Sequence, residues 1–184
     1  MSRRMRVRVW RVVGVAAGVL AALVVVAVVA VAVLAVPVSG GSMAPTYLDG
    51  DRLLPAPFLG PDDVERGDVV ETRFTANGPL VIKRVIATEG DRVRIDPGPV
   101  VRVLPAGETE WRVVPTAADW GAKPVACCGP DGMATTAAEA LVPNGKLFLL
   151  GDNPGGSDDS RTWGWADRDL VRAVVWTRVW PLAR

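Results

Sequence analysis

Histidine is absent from this chain of 184 residues. Without it the chain cannot build a Ser/His/Asp or Cys/His catalytic arrangement, or a histidine-ligated metal site. A nucleophile would have to be activated by lysine, a carboxylate or a terminal amine.

Cysteine is scarce, and the two that occur, Cys127 and Cys128, are adjacent. We expect them to be free or paired between molecules, because neighbouring cysteines can bond to each other only through an unusual ring. We predict no metal and no cofactor.

Acidic residues are missing from the first 36 positions, whereas five arginines lie before residue 12. No charge of either sign occurs in residues 12–36. About 25 helical residues span roughly 37 Å, which exceeds a hydrocarbon core of about 30 Å. The sequence therefore predicts a basic cytoplasmic tail over 1–11, a transmembrane signal-anchor helix over 12–36 and an outer domain over 37–184, oriented by the positive-inside rule.

A cleaved secretory signal is the alternative to an anchor. Ala30-Val31-Ala32 has the small-x-small pattern of a cleavage site. The apolar run is much longer than the 7–15 residues or so of a signal peptide's hydrophobic region, which favours an uncleaved anchor.

The outer domain carries short β-branched or aromatic runs separated by Gly, Pro and Asn, which predicts a mainly β, antiparallel-sheet domain. We predict hairpin turns at Asn77-Gly78, Pro97-Gly98 and Asn144-Gly145. Residues 105–143 are richer in Ala, Pro, Gly and Thr and are interpreted as an insertion or cap. All 20 acidic residues lie after residue 36, so the domain has no basic patch that would favour nucleic acid. The predicted strands are Asp51-Leu54, Gly67-Thr72, Leu80-Thr88, Arg92-Ile95, Val100-Leu104, Trp111-Val114, Lys146-Leu150 and Leu170-Val179.

A glycine-rich turn follows the apolar run and places Ser42 a few residues beyond its end. Gly40 and Gly41 allow backbone angles that other residues avoid, and Pro45 prevents helix continuation, so the turn can expose the Ser42 hydroxyl. On these residues alone a plain linker is the simpler reading.

Lys83 lies among apolar residues in the predicted strand Leu80-Thr88. Burial would disfavour its charged form and lower its pKa, which makes a lysine usable as a general base. A lysine that protects a sheet edge from aggregation is the simpler reading of this residue taken alone.

A loop rich in glycine and acidic residues, 151–161, follows the strand Lys146-Leu150. Its composition resembles a calcium loop, but its glycines are crowded in the middle and no glutamate stands at the position that a helix-loop-helix calcium site requires. A loop held by an Asp159/Arg161 ion pair needs no metal.

Four segments in order resemble the sequence boxes of bacterial type I signal peptidases, the membrane-bound Ser/Lys proteases that remove signal peptides. The resemblance covers residues 38 to about 175 and extends to the lack of histidine. The boxes are Ser39-Thr46, Arg66-Val70, Ile82-Val85 with Gly90-Asp91, and Gly151-Asp152-Asn153 through Ser157, Asp159, Ser160, Arg161 and Gly164.

The resemblance implies roles for individual residues. Ser42 would be the acylating nucleophile and Lys83 its general base. Ser157 would hydrogen-bond the lysine amine. The remaining implied contacts are an Asp159/Arg161 pair that holds the last loop and Asp152 facing Arg84. Independently of the resemblance, a substrate that extends as a strand beside Val81-Ile82-Lys83 needs shallow pockets for small side chains. The apolar candidates for these pockets are Val38, Met43, Val81 and Ile82.

Gly40 departs from those branches of the family that have a serine two residues before the nucleophile. The serine hydroxyl helps to stabilise the oxyanion there, so a missing donor would lower the rate and Gly40→Ser would raise kcat. The alternative is that Gly40 is needed for its backbone angles.

The predicted function is a membrane-bound endopeptidase at the outer face of a bacterial plasma membrane. It would cleave preprotein signal peptides after Ala-x-Ala, in contact with lipid and near the secretion translocon. Two alternatives remain open: an inactive membrane-tethered binding or scaffold domain, for which Gly40 is the best support, and a specialised peptidase with a single client.

Overall fold

The structure, a computed structural model, describes residues 3–116, 127–134 and 138–181. The chain forms two units, Met1–Ala35 and Val36–Arg184. The first consists of helix α1, Arg3–Leu34. Its part from Val13 to Leu34 has 22 residues, and by length and composition it is able to cross a membrane.

The end of α1 differs from the prediction of a helix over 12–36. The helix ends at Leu34, and Val36 already lies in a strand. The residue after Val36 is Pro37, and a residue that precedes proline is disfavoured in helical geometry because its backbone clashes with the proline ring. At its other end, α1 extends into the basic tail and begins at Arg3.

Within its described residues, the second unit contains a seven-stranded and a four-stranded sheet, in which every strand pairing is antiparallel. The predicted mainly β, antiparallel fold is therefore confirmed. In spatial order the larger sheet consists of β1 (Val36–Pro37), β2 (Arg52–Pro55), β11 (Ala173–Trp180), β3 (Val69–Thr72), β4 (Val81–Thr88), β9 (Lys146–Leu150) and β10 (Ala166–Asp167). The smaller consists of β7 (Arg112–Val114), β6 (Val100–Leu104), β5 (Arg92–Asp96) and β8 (Ala140–Leu141).

The described residues of the second unit form two apolar clusters, and β4 contributes side chains to both. Val85 belongs to the cluster that includes Val70 and Leu149. Ile86 belongs to the cluster that includes Phe148 and the smaller sheet. Neighbouring residues of a strand point to opposite faces, so a run of β-branched residues such as that of β4 can serve both clusters. Strand β4 is thus fixed from both sides, which holds Lys83 in place.

Several short elements were not predicted from the sequence. Strands β1, β8 and β10 have two residues each. A helix of four residues, α2 (Ser160–Trp163), follows the glycine-rich loop. Three single turns of 3₁₀ helix occur at Pro61–Asp63, Pro154–Gly156 and Arg168–Leu170.

Two of the three predicted hairpins are present. Asn77-Gly78 lies between the paired strands β3 and β4, and Pro97-Gly98 lies between β5 and β6. The hairpin at Asn144-Gly145 is wrong: β8 before it pairs with β5, whereas β9 after it pairs with β4 and β10. The turn leads the chain from one sheet to the other.

The described parts of 105–143 contribute to the smaller sheet: β7 and β8, its two edge strands, come from this stretch. Residues 117–126 and 135–137 lie outside the described residues.

The expectation for the cysteines is wrong, because Cys127 and Cys128 form a disulfide with each other. Both are buried in the apolar cluster of the smaller sheet, where they close the small ring that adjacent cysteines require.

Candidate active site

The Ser42 turn is held by its own backbone and by a buried side chain. The Ala44 N–H donates to Gly41 O at 3.1 Å, and the Tyr47 N–H donates to Met43 O at 2.9 Å. The Met43 side chain is almost completely buried, which anchors the turn, whereas Ser42 keeps partial exposure. The serine hydroxyl is therefore presented on a fixed backbone.

Ser42 and Lys83 are in direct contact. The Lys83 Nζ lies 2.9 Å from Ser42 Oγ and 3.1 Å from Ile82 O. Lys83 is only 3% exposed. Burial lowers the pKa of Lys83 from its ordinary value of 10.5, and the nearby carboxylates of Asp159 and Asp158 oppose this shift in part. The arrangement can transfer a proton from the hydroxyl to a neutral amine.

The loop after β9 is fixed by a buried ion pair. Asp159 and Arg161 form two hydrogen bonds of 2.9 Å, and both side chains are buried. Arg161 also donates to Pro154 O at 2.7 Å, while Asp159 accepts from the Gly151 N–H at 3.1 Å. The buried pair thus connects the end of the loop to Gly151 and Pro154 near its beginning.

Asn153 connects this loop to the Ser42 turn, a role that was not assigned from the sequence. Its backbone N–H donates to Ser42 O at 2.9 Å, and its Nδ2 donates to Gly41 O at 3.0 Å. Gly151 allows the close approach, since a Cβ there would collide with the Ser42 carbonyl and the Ser157 side chain. Asn153 directly follows Gly151-Asp152 in the sequence, and its side-chain amide can both donate and accept hydrogen bonds. The sequence alone could not show that this amide would contact Gly41, because the contact depends on the fold.

Ser157 does not make the contact that the resemblance implied. The described hydrogen bonds of the Lys83 amine go to Ser42 and Ile82, and Ser157 Oγ is buried without a hydrogen-bond partner among the described residues. The Ser157 side chain instead lies against Gly151. Ser157 is therefore close to the Ser42 turn but makes no hydrogen bond to the Lys83 amine in this structure.

Asp152 and Arg84 pair as the resemblance implied. The Arg84 Nε and Nη2 each donate to a different Asp152 oxygen at 2.7 Å, and the Arg84 Nη1 donates to Gly67 O at 2.7 Å. The Arg84 side chain is 27% exposed and the Asp152 side chain is 14% exposed. The pair joins β4 to the start of the loop, so the segment with Lys83 and the segment that contacts Ser42 are fixed to each other.

A cleft of about 400 Å³ opens at the Ser42/Lys83 pair. The four residues predicted to form substrate pockets, Val38, Met43, Val81 and Ile82, all line it. Besides Ser42 and Lys83, the cleft is lined by Ser39 and by five residues that were given no role from the sequence, which are Val36, Pro37, Glu71, Leu80 and Arg172. No group of three or more His, Cys, Asp or Glu side chains that could hold a metal ion occurs within the described ranges.

Gly40 has a φ of +81°, and its N–H donates to Asp49 Oδ1 at 2.8 Å. Residues with a Cβ are strained at such an angle, so the backbone accounts for the glycine. We expect Gly40→Ser to lower kcat and to destabilise the protein by about 1 kcal/mol or more. Steady-state kinetics and a melting curve on the variant measure both effects.

Gly41 is the matched control for stability in this experiment. Its φ is not positive, and a Cβ there would meet only Asn153 Nδ2, at 4.0 Å. Gly41→Ser should therefore melt closer to the wild-type temperature than Gly40→Ser. A higher kcat for Gly40→Ser at an unchanged melting temperature would restore the missing-donor hypothesis.

Comparison with known proteins supports the resemblance to signal peptidases that the sequence boxes indicate. The chain is 29% identical over 156 residues to "Probable signal peptidase I-2" of a Synechocystis species, covering 80% of this chain and 63% of that protein. It is 30% identical over 154 residues to "Signal peptidase IB" of Staphylococcus aureus, covering 79% and 77%. It is 28% identical over 149 residues to "Mitochondrial inner membrane protease subunit 1" of Xenopus tropicalis, covering 78% and 67%.

The alignment to the Synechocystis protein spans less than two thirds of that protein's length. The model of the family described as "Signal peptidase, peptidase S26" matches residues 10–180, which is nearly the whole chain. The chain therefore belongs to the signal peptidase family, peptidase S26, and the predicted family and peptidase class are confirmed.

Proposed function

We propose that the protein is a membrane-anchored serine endopeptidase that cleaves signal peptides from secreted preproteins after small residues. The observation that carries the proposal is the 2.9 Å contact between Ser42 Oγ and the buried Lys83 Nζ, located at a cleft of about 400 Å³. The contact joins a nucleophile to a base whose pKa is lowered by burial, a pairing that can carry out acyl transfer without histidine.

In the proposed reaction the neutral Lys83 amine takes the Ser42 proton as Oγ bonds to the scissile carbonyl carbon. The tetrahedral intermediate then collapses, the C–N bond breaks, and the lysine ammonium returns the proton to the leaving amine. Water, activated by the same amine, hydrolyses the acyl-enzyme and restores Ser42.

The Ser42 backbone N–H is the proposed donor to the oxyanion. Among the described residues this N–H donates no hydrogen bond, so it remains available for the substrate. Hydrogen bonds from Asn153 to the carbonyls of Gly41 and Ser42 fix the peptide planes of the turn. A fixed donor stabilises developing charge without reorganisation during the reaction. The φ of +81° at Gly40 gives a backbone reason for glycine at this position, which weakens the argument from Gly40 for an inactive protein.

An unpaired part of β4 offers a place for the substrate chain. β4 pairs with β3 from Val81 to Arg84, but its pairing with β9 begins only at Arg84. On the β9 side the backbone from Val81 to Lys83 thus has no strand partner within the described part of the chain. We propose that the substrate adds there as an extended strand and places small side chains at its first and third residues before the cut in the cleft.

The proposed location is a plasma membrane crossed once by α1, with Val36–Arg184 on the outer side. The basic N-terminal flank and the apolar length of α1 support this orientation. Signal peptides end at the same surface, so preproteins leaving the translocon and the surrounding lipid are the proposed partners. Protease added outside intact spheroplasts should digest the second unit; protection of this unit would exclude the secretory role.

The proposal is tested by incubating the detergent-purified protein with a preprotein that carries an Ala-x-Ala site. Mass spectrometry of the products should show a single cut after the second alanine. Ser42→Ala, prepared identically, is the control for contaminating proteases and should give no product. An intact preprotein with the wild-type enzyme, or equal cleavage by both proteins, would reject the proposed activity.

The pH profile should show a single basic limb. Burial lowers the pKa of Lys83, so its neutral form increases as the pH rises toward and through that lowered value. Cleavage should therefore rise from acid to mildly alkaline pH, with a midpoint below 10.5, the ordinary lysine value. Measurements of kcat/KM between about pH 5 and pH 9 test this, and a flat profile would remove lysine as the base.

A further inference from the structure

A buried acidic residue lines the cleft and has no part in the proposed reaction. Glu71 lies in β3, which is buried along its whole length, and its side chain is 7% exposed. The neighbouring lining residues Val36, Leu80 and Ile82 are apolar. A carboxylate placed in such surroundings loses much of its hydration, which costs free energy unless a polar partner replaces the water.

The one partner of the Glu71 side chain within the described residues is Arg172. The Arg172 Nε lies 3.5 Å from Glu71 Oε2, beyond the usual hydrogen-bond distance, and the Arg172 side chain is 65% exposed. A pair at this distance with one largely exposed partner contributes little stability. The Glu71 carboxylate therefore retains acceptor capacity toward a molecule that enters the cleft.

The register of the sheet places Glu71 next to the catalytic residues. Glu71 pairs with Ile82, so these two side chains lie on the same face of the sheet and both line the cleft, and Ile82 directly precedes Lys83 in β4. In an extended substrate the first residue before the cut must lie at Ser42, and the next side chain on the same face belongs to the third residue, about 7 Å farther along. In the proposed position of the substrate along β4, the side chain of this third residue would lie beside Ile82 and Glu71.

We propose that Glu71 makes this pocket polar, so that the enzyme prefers serine or threonine over valine at the third residue before the cut. The inference rests on the proposed function. A hydroxyl donates to the carboxylate and replaces its lost water, whereas an aliphatic side chain removes water and offers no hydrogen bond. Arg172 already supplies a cation at this wall, which favours a small neutral donor over a basic side chain.

Three matched peptides with Ala-x-Ala, Ser-x-Ala and Val-x-Ala sites test the proposal on the wild-type enzyme. We expect kcat/KM for the Ser peptide to exceed that for the Val peptide by about 10-fold or more, because a site with an acceptor discriminates against a side chain that cannot donate. If no peptide is cleaved, the proposed function fails. If the Ala peptide is cleaved and Val is accepted as well as Ser, only the Glu71 inference fails.

Glu71→Val assigns the preference to this residue. The variant should lose the Ser preference and favour the Val peptide, while Glu65→Val, which removes an exposed glutamate outside the cleft, should keep the wild-type ratio. An unchanged ratio in a folded Glu71→Val enzyme, or an equal change in both variants, overturns the inference. If Glu71→Val does not fold, Glu71→Gln replaces it, and the peptides compared carry Asp-x-Ala and Ala-x-Ala sites. Because Glu71→Gln removes the negative charge from the pocket, the ratio of kcat/KM for the Asp peptide to that for the Ala peptide must be higher in this variant than in the wild type.

Discussion

Lys83→Met is expected to abolish cleavage and to raise the melting temperature. Methionine fills a similar volume but cannot accept the Ser42 proton, so the rate should fall by about 10³-fold or more. Lys83 is 3% exposed, and burial lowers its pKa, which means that the folded protein disfavours its charged form. Removing this amine should stabilise the protein by about 1 kcal/mol, which corresponds to a melting temperature higher by about 2–4 °C.

The stability gain of Lys83→Met should depend on pH in a defined direction. Because the pKa of Lys83 is lower in the folded than in the unfolded chain, folding is penalised fully below the folded pKa. The penalty decreases as the pH rises from the folded pKa toward 10.5. The difference in melting temperature between variant and wild type should therefore be largest at acid and neutral pH and should shrink at alkaline pH.

Lys146→Met is the matched control for this experiment. Lys146 forms an ion pair with Asp167 at the surface and lies outside the cleft. Its replacement should leave cleavage intact and change stability by less than about 1 kcal/mol. The double variant Ser42→Ala/Lys83→Met should be no slower than either single variant, because the two residues act as one unit. Residual activity of Lys83→Met above about a tenth of wild type would contradict the proposed base.

The sequence was sufficient to predict the larger strands and the chemical candidates. β4 is a run of β-branched residues interrupted by Lys83 and Arg84, a pattern that predicts both a strand and a desolvated amine. The order of the four sequence boxes then pointed to the family. The Ser42/Lys83 contact itself could not be derived, because 41 residues separate the two side chains and only the paired sheet brings them together.

Other features depended on contacts that a linear pattern does not contain. Asn153 became important because the loop 151–161 folds against the Ser42 turn. Glu71 was given no role from the sequence, and only the structure shows that all four residues of β3 are buried and that Glu71 lines the cleft. Gly40 could be read as a lost donor or as a backbone requirement, and only its φ of +81° favours the second.

The buried Asp159/Arg161 pair should be the most sensitive structural feature of the site. Asp159→Asn keeps an acceptor for the Gly151 N–H but leaves the buried Arg161 cation without its counter-charge. Removing one partner of a buried ion pair typically costs about 3–5 kcal/mol, which corresponds to a melting temperature lower by roughly 10 °C. Cleavage should also fall, because the loop that holds Asn153 against the Ser42 turn loses its anchor.

The exposed pair Arg112 and Glu108 provides the control for charge removal. Their side chains are 63% and 37% exposed, so Glu108→Gln should cost less than about 1 kcal/mol and leave cleavage unchanged. Arg161→Met should be destabilising like Asp159→Asn, and the double variant should recover part of the loss, since neither charge is then left alone. Strictly additive losses in melting experiments would show that the pair does not act as a unit.

The two single variants should also move the pH profile of cleavage in opposite directions. The Asp159 carboxylate raises the pKa of Lys83, and the Arg161 cation lowers it, although burial is the largest cause of its shift. Asp159→Asn should therefore move the basic limb to lower pH, and Arg161→Met should move it to higher pH. A loss of folding alone would reduce the rate at every pH without moving the midpoint. Opposite shifts would thus tie the buried pair to the protonation of Lys83, whereas coincident midpoints would restrict it to holding the loop.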